Sequence, residues 1–118
     1  MRDHRKLQAF NLAHNAVLGT YKATKAFPKE ELFGLAAQMR RAAVSVASNI
    51  VEGSARESKA DYARFIDMAY GSAKELEYQV ELARDLGYLG GEHSVRLASQ
   101  CSRSAQVLNA LVRALRSR

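Results

Sequence analysis

Apolar residues along this chain recur in steps of three and four rather than in strict alternation, a pattern that predicts amphipathic helices and leaves little room for strands. The first segment places Leu7, Phe10, His14, Val17, Tyr21 and Thr24 on one stripe. The second carries Leu32, Leu35, Met39, Ala42 or Ala43, Val46 and Ile50. The third and longest aligns Tyr62, Phe65 or Ile66, Ala69, Ala73, Leu76, Val80, Ala83 and Leu86, and the last shows Leu97, Cys101, Ser104, Leu108, Leu111 and Leu115.

Local signals set the boundaries. Phe27-Pro28 closes the first segment, because the residue before proline avoids the helical region and proline then suits a first turn, where Glu30 and Glu31 meet the positive end of the next helix dipole. Gly53 reads as a left-handed cap, Ser58 with Asp61 as an N-terminal capping pattern, and Gly87 and Gly90-Gly91 as the next break. Helices are thus expected at about residues 5–26, 29–52, 58–86 and 92–117 of one domain spanning 1–118.

Four amphipathic helices with short connections predict an all-α, antiparallel up-down-up-down bundle. That topology brings both termini and the Gly53 to Glu57 turn to one end of the rod. Arg2, Arg5, Lys6, Arg56, Lys59, Arg113, Arg116 and Arg118 then converge there, opposed by Asp3, Glu52, Glu57 and Asp61.

Charge sharpens this picture. The 118 residues carry a net charge of +6, distributed unevenly. Residues 1–30 hold six basic against two acidic side chains and residues 91–118 five against one, whereas residues 54–90 hold five basic against seven acidic. With helices one and four adjacent, their charge makes a continuous basic edge and helix three an acidic one. Such a surface suits an anionic partner, RNA or DNA foremost. No apolar run approaches the ~20 residues of a membrane span, and Met1 to Leu12 is too polar for a secretory segment, so a cytoplasmic protein without a membrane partner is expected.

Polar residues inside the apolar segments are the other candidates. Antiparallel packing of helices two and three puts Arg40 and Arg41 opposite residues near 70 to 75, so an interhelical ion pair with Glu75 is expected, with Glu77 beside it; arginines projecting to phosphate are the alternative. Ser45, Ser48, Asn49 and Glu52 form a polar stripe suited to bonding a neighbouring helix or subunit. Gly71-Ser72 inside a helix suggests close approach of another backbone. Val44, Val46, Ala47 and Val51 make helix two apolar around more than one face, which points to oligomerisation.

Catalytic and metal chemistry find little support. His4, His14 and His93 are scattered, no Glu-x-x-His pair exists, and no glycine-rich loop follows a strand. His14 reads as a hydrogen-bonded core residue and Cys101 as a small buried hydrophobe. Of the five tyrosines, Tyr21 and Tyr62 fit the core stripes rather than a base-stacking surface. No cofactor or catalytic residue is expected.

The stretch Gln38-Met-Arg-Arg-Ala-Ala-Val-Ser-Val-Ala-Ser-Asn-Ile-Val-Glu-Gly53, with Phe27-Pro28 before it and Gly71-Ser72-x-x-Glu-Leu-Glu-x-Gln79 and Leu86-Gly-Tyr-Leu89 after it, closely resembles the four-helix bundle proteins of the 23S rRNA intervening-sequence protein family. The resemblance covers essentially the whole chain. It implies a bundle assembling into a homopentameric ring. It also suggests kinship to the accessory variability determinant of diversity-generating retroelements, a basic barrel that works with a reverse transcriptase and its RNA or DNA. The family offers no established catalytic residue to carry over. The expectation is therefore a non-enzymatic oligomeric bundle binding nucleic acid or a nucleoprotein through its basic end; the alternative is a protein-interaction scaffold without nucleic-acid contact.

Overall fold

The computed structural model describes residues 2–117. These form four helices: α1 (Gln8–Thr24), α2 (Leu35–Ser54), α3 (Lys59–Asp85) and α4 (Gly91–Arg116), with short 3-10 turns at His4–Lys6 and Lys29–Glu31. No strand occurs among the described residues. Each helix packs on its sequence neighbours and α4 closes back onto α1, so the bundle is square in section and measures 46 × 22 × 20 Å.

The core fills in two stacked halves. Met39, Leu76, Val80, Leu97 and Cys101 occupy one, with Phe27 closing its end. Val46, Ile50, Tyr62, Ile66 and Leu108 occupy the other, nearer the chain termini. Each fully buried large aliphatic or aromatic side chain contributes on the order of 1.5–3 kcal/mol.

Helix α1 is rotated relative to the expected stripe. Its buried residues are Ala9, Ala13, Ala16, Thr20 and Thr24, while His14 is exposed and Tyr21 is 42% exposed. Small side chains let α1 approach its neighbours closely, and Leu7, Phe10 and Val17 straddle the seam half-buried. His14 is therefore no core residue; its ring stacks on Phe10, centroids 5.9 Å apart and 12° from parallel.

The expected start of helix two divides in the structure. Pro28 precedes the 3-10 turn, and α2 begins only after Gly34. Leu32 lies in the intervening turn and is half exposed rather than on the core stripe. Glu31 nevertheless serves the positive end of α2, its Oε1 accepting from the Leu35 backbone N–H at 3.1 Å.

The glycines separate into different roles. Gly53 lies inside α2 and is not a left-handed cap; a Cβ there would stand 2.8 Å from the Phe65 Cβ and 3.3 Å from Tyr62 Cδ1. Its missing side chain lets α2 and α3 converge beside their turn. Gly71 shows the opposite, being exposed on α3 where an added Cβ would meet nothing within 4 Å among the described residues, so the close approach expected there does not occur within them. Gly87, at φ +80°, ends α3 as expected. The Gly87 N–H donates to Arg84 O and the Tyr88 N–H to Ala83 O, the paired bonds of a Schellman cap. Ser58 accepts from the Asp61 N–H at 3.0 Å, capping α3.

Candidate nucleic-acid interface

The topology gathers the starts of α1 and α3 and the ends of α2 and α4 at one pole. Two positive and two negative dipole ends meet there and largely offset each other, so side chains set the sign of the local field.

Those side chains fall into three groups. Arg2 is built into the fold: its backbone N–H donates to Ser54 O at 3.0 Å, its Nη1 to Arg56 O at 2.7 Å, and its guanidinium lies 4.1 Å from the Tyr62 ring centroid. Arg56 lies over the Phe65 ring at 4.9 Å. Two others are paired at the surface, Arg5 with Asp3 at 3.5 Å and Arg116 with Asp67 at 3.3 Å. Such exposed pairs contribute little stability and yield readily to a phosphate. Lys6, Lys59 and Arg113 are exposed and meet no carboxylate within 4 Å among the described residues. Arg118 lies outside the described residues.

Aromatic rings interleave with these cations. Arg64 joins Arg56 over Phe65, at 4.6 Å from its centroid. Burial raises the pKa of the Tyr62 hydroxyl and the Arg2 charge partly offsets that rise. His4 meets Phe10 edge-on at 4.7 Å, and Phe10 stacks on His14. Sequence periodicity singles out neither Arg64 nor the His4–Phe10–His14 ladder as part of this surface. The four-residue spacing of Phe10 and His14 is the available signal for the ladder, but it reads equally as a core stripe.

The polar residues of α2 sort differently. Arg40 turns to α1, not α3: its Nε donates to Thr24 Oγ1 at 2.9 Å and its guanidinium stacks over Tyr21 at 4.7 Å. Arg41 and Glu75 line one groove with Gln38, Ala42, Ser45 and Gln79 but form no ion pair, and Glu77 pairs within its own helix with Lys74 at 2.7 Å. The two helices thus present Arg41 and Glu75 to a shared groove, while the expected ion pair does not form. A hydrogen bond of 2.9 Å between the Ser45 and Ser72 hydroxyls links α2 to α3, with Asn49 Nδ2 donating back to Ser45 O. Glu52 is exposed. The Gln79 Oε1 atom is buried beside this groove without a hydrogen-bond partner among the described residues.

Cys101 is buried and its thiol pushed up to about 12, chiefly by desolvation, which keeps it protonated and a poor nucleophile. Among the described residues no three His, Cys, Asp or Glu side chains cluster as a metal site would need, and no helix is long and apolar enough to cross a membrane.

The fold and its polar pole define a small, basic, all-α four-helix bundle. The chain belongs to the 23S rRNA-intervening sequence protein family, whose profile matches residues 5–110. Its fold is similar to the crystal structure of a protein of unknown function from the S23 ribosomal protein family of Bacteroides thetaiotaomicron, with a TM-score of 0.78 and 21% identity over 89% of this chain and 95% of that one. No curated protein matches the chain at a comparable level of significance.

Proposed function

We propose that this chain is a non-enzymatic, oligomeric bundle that binds nucleic acid, or a nucleoprotein partner, through the pole carrying its termini. The observation that carries the reading is that Lys6, Lys59 and Arg113 stand exposed at this pole with no carboxylate within 4 Å among the described residues, beside arginines held by ring and backbone contacts. Held guanidiniums lose little entropy on meeting a phosphate.

Binding of this kind is dominated by counterion release. Titrating RNA and DNA at about 50 and about 200 mM salt is expected to show affinity falling roughly tenfold or more. Absence of binding, or binding indifferent to salt, refutes the reading.

A second reading, a protein-interaction scaffold, is favoured by a specific set of residues on α2 and α3. Val44, Val51, Met68 and Tyr78 are all exposed there. A homopentameric ring would cover part of this surface, the acidic α3 edge of one copy meeting the basic α1 and α4 edge of the next. Light scattering on the eluting protein tests the assembly, and a monomer at micromolar concentration ends the ring. Arg113→Glu with Arg116→Glu separates the two readings. A nucleic-acid binder stays assembled and loses its ligand, whereas a scaffold that uses these arginines loses assembly.

A further inference from the structure

We propose that the His4–Phe10–His14 ladder is a base-stacking platform that selects single-stranded over duplex nucleic acid. The inference rests on the nucleic-acid reading above and names its substrate class. His4 of the 3-10 turn and Phe10 and His14 of α1 stand in sequence, with centroids 4.7 and 5.9 Å apart. His14 is exposed and stands at the outer end of the ladder, while Phe10 is half-buried between the two histidines and backs the His14 ring.

The elbow that carries His4 is held in place. Asp3 Oδ1 accepts from the Arg5 N–H at 3.1 Å, and Asn11 Nδ2 donates to Arg5 O at 3.4 Å and Leu7 O at 3.2 Å, tying the 3-10 turn to α1. Phe10 is anchored against the core half that contains Ile50 and Leu108. The platform is therefore ordered before a ligand arrives, which lowers the entropy lost on binding.

Cations flank the rings. Arg5 and Lys6 follow His4 directly in the same turn, both exposed. Bases splayed from a single strand can stack on rings while the backbone meets adjacent cations, whereas a duplex keeps its bases stacked on one another and offers only phosphate. Stacking of this kind tolerates any base and either sugar, so RNA and DNA strands are both substrates in principle.

Fluorescence anisotropy with a labelled strand of about twelve nucleotides, as RNA and as DNA, and with the duplex of each, tests the proposal. Wild-type protein is expected to bind strands more tightly than duplexes. Phe10→Leu, which keeps an apolar anchor, and His14→Ala, at an exposed position, are each expected to weaken strand binding by roughly fivefold to tenfold and leave duplex binding unchanged. Melting curves show whether Phe10→Leu remains folded, and His14→Ala gives an independent readout. Loss on either strand with its duplex unaffected supports the platform. Equal losses on strand and duplex, or no loss while strands still bind, overturn the ladder and leave the basic pole standing. No binding of any nucleic acid overturns both.

Discussion

Arg2 donates from Nη1 to the carbonyl oxygen of Arg56, 2.7 Å away, and so ties the beginning of the described chain to the turn that leaves α2. The same guanidinium covers the Tyr62 ring. One residue ahead of the first 3-10 turn thus reaches the end of α2, the turn after it and α3 at the pole where charge gathers. Arg2→Ala removes a charge-assisted bond and a ring contact at a half-exposed site. It is expected to cost about 1 kcal/mol and lower Tm by several degrees in a thermal melt. An unchanged melt would show that the contact contributes nothing.

Gly53 and Gly71 are expected to respond oppositely to alanine. At Gly53 the new methyl meets Phe65 Cβ, which cannot swing away as a flexible side-chain end could, so Gly53→Ala is expected to destabilise by about 1–3 kcal/mol despite better helix propensity. At Gly71 the methyl enters open space on an exposed helix, so Gly71→Ala is expected to stabilise by about 0.5–1 kcal/mol. Urea denaturation of both variants checks the pair. If Gly71→Ala also lowers the oligomeric state, the open space belongs to another subunit.

Arg40 and Glu75 offer a test of which contacts define the α2 environment. Arg40→Met breaks the bond to Thr24 and leaves that buried hydroxyl only its bonds to backbone carbonyls, at an expected cost of about 1 kcal/mol. Glu75→Gln removes no ion pair and is expected to change stability by less than about 0.5 kcal/mol. A cost at Glu75 comparable to that at Arg40 would mean that an interhelical ion pair operates in solution.

Cys101 links burial to alkaline pH. Its folded pKa is raised to about 12 from an ordinary 9, so the unfolded chain releases the thiol proton first. The stability contributed by the protonated thiol is therefore complete below about pH 9 and is lost as pH rises towards about 12. Cys101→Ala is expected to flatten the fall of stability over that range, measured by urea denaturation at stepped pH. In the native protein at pH 8 the thiol is expected to resist a disulfide reagent until denaturant is added. Rapid native labelling would contradict its burial.

The legibility of the chain follows the range over which each signal acts. Ser58 with Asp61 and Gly87 with Tyr88 are readable because a cap closes within a few residues. Gly53 is not, since a cap and a close approach select the same residue and only the position of Phe65 distinguishes them. On α1 the large residues draw attention from the alanines that form the contact face. Of the basic pole, topology places Arg2, Arg56 and Arg113 together, but their differing roles depend on Tyr62, Phe65 and the carbonyl of Arg56.

The order of residues was enough to establish the number of helices, their alternating direction and the meeting of the basic ends, because periodicity and turn chemistry act locally. Which neighbour each polar side chain reaches emerged only on packing. A helix advances about 100° per residue, so a small rotation about its axis moves His14 from seam to surface and turns Arg40 from α3 towards α1. That rotation is set by how small and large side chains from all four helices fit together, a relation no single segment contains.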